Sequence, residues 1–247
     1  MRSTILPIIA LSSLLAAGTA GANMTFTFTA SGYATSDGHP ENATAVFDFS
    51  DSGGLAISLT NTSAQVPALS SVLSGVTFNI SPYPGTASLT GGSAAGTIDC
   101  YANMPTCSIS NGPFGGTFGW MLGQSASSFA LLAGGGSLKP NGIANANTTG
   151  YESSNSQHNM YLLGPVEFDI GFAQFAAAMG GDPNVFNVVF IFGTDHRDTQ
   201  TGVCVAGCSA VTTAPEPQTL ALFGLALVAL MLTRRRIAWP ASESPRP

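Results

Sequence analysis

The sequence contains few charged residues and very few basic ones. It has seven lysines and arginines against thirteen aspartates and glutamates, and charged residues make up 8% of the 247 residues. Residues 23–213 hold eleven acidic residues but only two basic ones, Lys139 and Arg197. Proteins bind nucleic acid largely by neutralising its phosphates with lysine and arginine. The shortage of these residues therefore excludes nucleic acid as a partner.

The sequence also lacks the short motifs of several common enzyme classes. It has no G-x-S-x-G nucleophile elbow, no H-E-x-x-H zinc motif, no phosphate-binding loop and no dinucleotide-binding fingerprint. The three histidines, His39, His158 and His196, are scattered through regions predicted to be loops. We therefore expect a protein that is not an enzyme and that uses no cofactor and no metal ion.

Residues 1–22 have the three parts of a secretory signal peptide. Arg2 supplies the positive start, residues 5–17 form an apolar core, and Ala20-Gly21-Ala22 is a small-residue cleavage site. We expect cleavage before Asn23. No cysteine follows this position closely, which argues against a lipoprotein anchor.

Residues 214–236 form a second segment with a clear order of parts. It consists of Pro215-Glu216-Pro217, an uncharged run from Leu220 to Leu232, and the cluster Arg234, Arg235 and Arg236. The two prolines fix φ and remove backbone donors, so the tripeptide should be extended. The apolar run is shorter than the roughly 20 residues of a usual spanning helix. The arginines behind it nevertheless indicate a transmembrane helix, with residues 237–247 in the cytoplasm and the body outside.

This order of Pro-Glu-Pro, apolar run and arginine cluster resembles the sorting signal of PEP-CTERM proteins, a class of exported bacterial proteins. The resemblance implies recognition by an exosortase and removal of the tail from an inner-membrane intermediate. It also implies delivery to the cell surface or extracellular matrix of a Gram-negative bacterium. Proteins of this class often accompany exopolysaccharide production, which makes extracellular polysaccharide a candidate partner. The chain departs from the pattern in its short apolar run and in the residues that follow the arginines.

The four cysteines lie in two close pairs. They are Cys100 with Cys107, and Cys204 with Cys208. In an exported protein the simplest prediction is two local disulfides, although four cysteines allow three connectivities. Neither pair has C-x-x-C spacing, so a zinc ribbon is not indicated.

Residues 23–213 show the period-two alternation that is typical of half-buried β-strands. Such strands are predicted around Phe26, Phe47, Ile57, Phe78 and Phe168. Segments rich in glycine, proline, asparagine and aspartate separate them, as expected of turns. We therefore predict one extracellular all-β domain, an antiparallel β-sandwich or a jelly roll.

Two parts of this domain lack the alternating pattern of β-strands. Phe172, Phe175, Ala176 and Met179 fall at helical spacing, which predicts one short helix. Residues 134–159 are polar and rich in glycine, which predicts a long loop.

Two acidic groups are candidate sites. Glu167 and Asp169 share one face of a predicted strand, which suits either a paired-carboxylate glycosidase site or the solvent face of an amphipathic strand. Asp195, His196 and Asp198 follow a strongly apolar strand and offer ligands for calcium. Arg197 lies among them, which favours a turn with an internal ion pair.

Three aromatic residues could stack on sugar rings. They are Trp120, Tyr83 and Tyr151. Trp120 lies at strand spacing from Phe118, which favours a place in the core instead. Together the observations favour a structural or adhesive protein in an exopolysaccharide layer. A lectin-like carbohydrate-binding module and a secreted glycan hydrolase remain open as alternatives.

Overall fold

The alternating segments of the sequence form β-strands in the computed structural model. The structure describes residues 24–50, 53–63, 69–99, 108–134, 142–146, 160–173, 183–193, 196 and 198–208. Within these residues the chain forms strands and one short 3-10 turn, so the all-β prediction is confirmed. The predicted signal peptide, sorting segment and cytoplasmic tail lie outside the described residues.

The strands have the following bounds. They are β1 (Met24–Tyr33), β2 (Pro40–Phe49), β3 (Gly54–Asn61), β4 (Leu73–Ser81), β5 (Ala87–Asp99), β6 (Ser108–Gly115), β7 (Met121–Ser125), β8 (Ser128–Leu132), β9 (Ile143–Ala144), β10 (Met160–Phe172), β11 (Asn184–Phe192), β12 (Asp198–Thr201) and β13 (Val203–Ala206). The 3-10 turn, Leu69–Ser71, precedes β4.

The strands are hydrogen-bonded into one 13-stranded sheet that has two arms. The five-strand arm has the order β12-β11-β4-β8-β7, and the seven-strand arm has the order β13-β1-β2-β3-β10-β5-β6. Strand β9 joins them, because Ile143 pairs antiparallel with Leu73 of β4 and parallel with Leu162 of β10. The prediction of a purely antiparallel sheet is corrected by this one parallel pair.

Strand β9 was not expected, because it lies inside the polar segment that was predicted as a loop. Ile143 and Ala144 are fully buried. The side-chain amide of Asn61, itself buried, donates to the carbonyl oxygens of Ile143 and Ser71 at 2.8 and 2.7 Å. A buried amide held by two acceptors fixes the position of the segment, so a two-residue strand persists without a long ladder.

The core lies between the inner faces of the two arms. Phe47 on β2 contacts Phe78 on β4, with ring centroids 5.0 Å apart. Phe129 on β8 contacts Phe172 on β10 at 6.1 Å. Burying one large apolar side chain contributes about 1.5–3 kcal/mol. Aromatic residues at inward positions of alternating strands therefore hold the arms together.

The end of β10 corrects the predicted helix. Phe172 is the last residue of β10 and pairs with Ala87 of β5. It therefore belongs to the sheet, because a paired strand residue cannot begin a helix. The other residues of the predicted helix, Phe175, Ala176 and Met179, lie outside the described part of the chain.

Two further predictions concern the cysteines and the membrane. The structure pairs Cys204 with Cys208 at a Cα separation of 6.1 Å, within the usual range for a disulfide. Cys100 and Cys107 lie outside the described residues. In the part of the chain that is described, no helix has the length and apolar character needed to cross a membrane. The run from Leu220 to Leu232 is not in that part.

Candidate functional site

The outer face of the seven-strand arm carries small polar residues and carboxylates. On β2, Phe47 and Phe49 point into the core, so Asp48 between them must point outward. The same alternation places Ala56 and Ser58 outward on β3. The residues of this outer face can be predicted from the sequence. Side chains alternate in direction along a strand, so each inward apolar residue places its two neighbours on the outer face.

Glu167 and Asp169 are exposed on this outer face, side by side along β10. The hydroxyl of Ser93 donates to Glu167 Oε2 at 3.1 Å. The hydroxyl of Thr90 donates to the main-chain oxygen of Asp169 at 3.0 Å. The shared face that the sequence predicted for the two carboxylates is the arrangement found.

The strand register brings a third carboxylate opposite Asp169. Ala56 pairs with Asp48 on one side and with Asp169 on the other. The two aspartates therefore lie two strand spacings apart, about 10 Å between Cα atoms, with Ala56 between them. Glu167 has Ser58 and then Val46 in the equivalent positions, so no carboxylate faces it across β3.

A groove opens on this face beside the two aspartates. It has a volume of about 530 Å³, and its lining includes Asp48, Asp169, Ala56 and Gly54. A second hollow of about 310 Å³ shares Gly171 and Phe172 with the first. Both hollows lie near the end of β10.

The predicted calcium loop is only partly described. Asp195 and Arg197 lie outside the described residues, and His196 is exposed with a φ of 58°. Asp198 begins β12, and its Oδ1 accepts hydrogen bonds from the amide and hydroxyl of Thr35. Among the described residues, no three histidine, cysteine, aspartate or glutamate side chains are arranged to hold a metal ion.

A buried carboxylate, Glu41, lies near Asp198 and was missed in the sequence. Glu41 is on β2 at an inward position and is 0% exposed. The side-chain amide of Gln200 on β12 donates to Glu41 Oε2 at 2.7 Å and to the Tyr33 carbonyl oxygen at 3.3 Å. Within the described part of the chain, Glu41 Oε1 has no hydrogen-bond partner. Glu41 faces Gly32 across the ladder, and a Cβ at Gly32 would overlap the Gln200 amide.

The surroundings of Glu41 change its protonation. Burial raises the pKa of Glu41 above its ordinary value, against the effect of the Gln200 hydrogen bond, and the nearby charges of Asp198 and Asp37 raise it further. Asp37 behaves oppositely. Burial alone would raise the pKa of Asp37, but hydrogen bonds from Ser70 and the His39 amide, with the His39 charge, lower it overall. Because Glu41 is fully buried, its contacts hold β12 to the β1–β2 hairpin rather than face a ligand.

The aromatic candidates separate clearly by exposure. Trp120 is 3% exposed and lies 4.7 Å from the ring of Phe168, so it belongs to the core. Tyr83 is 47% exposed, and its hydroxyl accepts a hydrogen bond from the Gln124 amide at 3.3 Å. Tyr151 and His158 lie outside the described residues, and His39 is half-buried in the turn after β1.

Comparison with known proteins bears on the end of the chain and not on the sheet. A search of curated proteins and a search of solved structures each found no match. The PEP-CTERM protein-sorting motif matches residues 213–236. These residues include the Pro-Glu-Pro tripeptide, the apolar run and the arginine cluster from which the same motif was predicted. The chain is therefore a protein that carries the PEP-CTERM sorting motif.

Proposed function

We propose that this chain is a non-enzymatic structural or adhesive protein of an exopolysaccharide layer outside a Gram-negative cell. The observation that carries the proposal is the sorting motif at residues 213–236. This motif supports export, a membrane-anchored intermediate and processing by an exosortase before release at the cell surface. The β-rich body then works outside the cell, after residues 1–22 and the sorting tail have been removed.

The composition of the body supports this location. The described residues include no lysine and no arginine, and their outer strand faces carry threonine, serine and aspartate. Such a surface is well hydrated and does not attract nucleic acid or anionic lipid. The scaffold that we propose is a β-sandwich whose layers are the two arms, because rings from both arms meet in one core.

Replacing Pro215 and Pro217 by alanine tests the sorting step. Alanine restores two backbone donors and lets the apolar helix extend into the tripeptide, which removes the extended peptide that the processing enzyme would read. We expect uncleaved protein to accumulate in the membrane fraction, with its arginine cluster retained. Mass spectrometry of the membrane and extracellular fractions measures this directly.

The matched control replaces Pro240 and Pro245, which lie behind the arginine cluster. This variant should be processed as the wild type is. Normal amounts of mature extracellular protein from the Pro215→Ala, Pro217→Ala variant would refute the proposal of exosortase sorting.

The lectin-like and hydrolase alternatives predict different losses. Turnover of a glycan that disappears in Glu167→Gln would establish a hydrolase and overturn the non-enzymatic proposal. Binding that disappears in Tyr83→Ala or Tyr151→Ala, with the fold retained, would favour a lectin that uses loop aromatics. Trp120 cannot stack on a sugar ring, because it is buried against Phe168.

A further inference from the structure

We propose that the groove between Asp48 and Asp169 binds an uncharged polysaccharide through its hydroxyl groups. The groove crosses β2, β3 and β10 on the outer face of the seven-strand arm, where Ala56 forms part of its lining. The inference deepens the proposed extracellular role, and it rests on polysaccharide being the material in which this protein works.

The two aspartates provide acceptors for hydroxyl donors. Each ionised carboxylate has about four lone-pair sites. Asp48 uses one of them for the hydroxyl of Thr25 at 3.3 Å, which orients the side chain and leaves acceptor capacity. No hydrogen bond of the Asp169 carboxylate to another described residue is present, although this side chain is exposed beside the groove. Acceptors about 10 Å apart across Ala56 suit a ligand that carries many hydroxyls.

Glycines keep the walls of the groove low. Gly53, Gly54 and Gly171 line it. A Cβ added at Gly54 would lie 3.4 Å from Ser50 Oγ, and one added at Gly171 would lie 3.2 Å from Thr90 Cγ2. Side chains at these positions would occupy part of the groove beside Ser50 and Thr90. Their absence lets a ligand approach the backbone closely.

The groove adjoins a second hollow at the end of β10. Phe172 is half-buried and lines both the 530 Å³ groove and the adjoining 310 Å³ hollow. The ring of Phe172 packs against Phe129 in the core, on the side of β10 opposite Asp169. The ligand contacts that we infer in the groove are therefore those of Asp48 and Asp169 with hydroxyl groups.

The negative charge of this outer face disfavours anionic ligands. An anionic polysaccharide or a phosphate would face Asp48, Asp169 and Glu167 on a face where the described residues include no lysine or arginine. A resident metal ion is not favoured either, because the described residues form no three-ligand cluster. Among neutral ligands, a molecule rich in hydroxyls matches the carboxylate acceptors of this face, and it is the class that we propose.

Filling the groove is the direct test. Ala56→Tyr places a ring between the two aspartates, and Ser58→Tyr places the same ring two residues along the same strand face, outside the groove. Asp169→Ala and Glu167→Ala form a second matched pair. Each secreted protein is titrated with dextran, β-glucan and galactomannan, with the neutral exopolysaccharide of the producing cells, and with alginate as the anionic comparison.

We expect Ala56→Tyr and Asp169→Ala to weaken neutral-polysaccharide binding by about tenfold or more, which corresponds to about 1.4 kcal/mol. Ser58→Tyr and Glu167→Ala should stay within about twofold, and thermal unfolding should show that all four variants fold. Equal losses in both members of a pair, stronger binding to alginate, or no binding of the wild type to any neutral polysaccharide would overturn the inference. Recovery of the wild type outside the cell is scored separately, so a failed export proposal is distinguishable from a failed groove.

Discussion

The buried Glu41 leads to a testable prediction about stability, because Gln200, which donates a hydrogen bond to it, lies in the other arm. Gln200→Leu keeps a side chain of similar size above Gly32 but removes the amide that reaches Glu41 Oε2 and the Tyr33 carbonyl. A hydrogen bond to a charged group contributes about 1.5–3 kcal/mol. In a domain of this size each kcal/mol shifts Tm by about 2–4 °C, so we expect a decrease of about 3–12 °C.

The pH dependence separates the carboxylate from the amide. The pKa of Glu41 is raised in the folded protein. Its contribution to stability is therefore fully present below the unfolded pKa of about 4.3 and is lost as the pH rises through the raised folded pKa. Glu41→Gln removes this loss. It should match the wild type at acid pH and be more stable above the folded pKa of Glu41.

Asp37 has the opposite sign and provides an internal comparison. Its folded pKa is lowered. Its contribution is present above the unfolded pKa of about 3.9 and is lost as the pH falls through the lowered folded pKa. Asp37→Asn should therefore reduce stability at neutral pH, where Glu41→Gln increases it.

Urea unfolding of the secreted protein between about pH 4 and pH 9 measures these effects as changes in the free energy of unfolding. Gln124→Leu is the matched control. The Gln124 amide donates to the Gly85 carbonyl oxygen at 2.8 Å and accepts from the Ala87 amide, with no carboxylate involved. The decrease in the free energy of unfolding caused by Gln124→Leu should therefore be independent of pH. If Glu41→Gln is less stable than the wild type at pH 8, the argument that ionisation of the buried Glu41 lowers the stability of the fold is wrong.

Two further predictions concern the core and the disulfide. Phe168→Ala should lower the free energy of unfolding by about 3–5 kcal/mol, because Phe168 is fully buried against Trp120, whereas Glu167→Ala next to it should change it by less than about 0.5 kcal/mol. A similar cost for both substitutions in urea unfolding would contradict the assigned faces of β10. Replacing Cys204 and Cys208 by serine should cost about 2 kcal/mol, since the closed loop is short. If the serine variant and the wild type unfold at the same urea concentration, the disulfide adds no stability.

The directions of the strand side chains were predictable, whereas the partners of the strands were not. Period two alone places Phe47 and Phe168 inward and Asp169 outward. The neighbouring positions of Asp48 and Asp169 depend on the register of β2, β3 and β10, and that register is set by contacts distant in sequence. The sequence therefore predicted the carboxylate pair on one strand but not the groove between strands.

Glu41 and β9 were missed for a related physical reason. Glu41 continues the inward alternation of Ala43 and Ala45, but a charged residue near a strand end is normally assigned to solvent. The side-chain amide of Gln200, which is far along the chain, donates to Glu41 and makes its burial tolerable. Ile143 and Ala144 lie in a polar, glycine-rich segment, and the buried amide of Asn61 holds that segment from β3. The local sequence pattern around Glu41 or β9 gives no information about hydrogen-bond donors that lie far away along the chain.

The distribution of basic residues connects the body with its sorting signal. Five of the seven lysines and arginines lie in residues 1–22 and 214–247, the parts that the proposed processing removes. The arginine cluster thus fixes the orientation of the chain while it is in the membrane. Once the tail is removed, residues 23–213 keep eleven acidic residues and two basic ones. The groove between Asp48 and Asp169 consequently lies on a protein whose charge repels anionic polymers, which leaves neutral polysaccharide as the component of the layer that it is suited to hold.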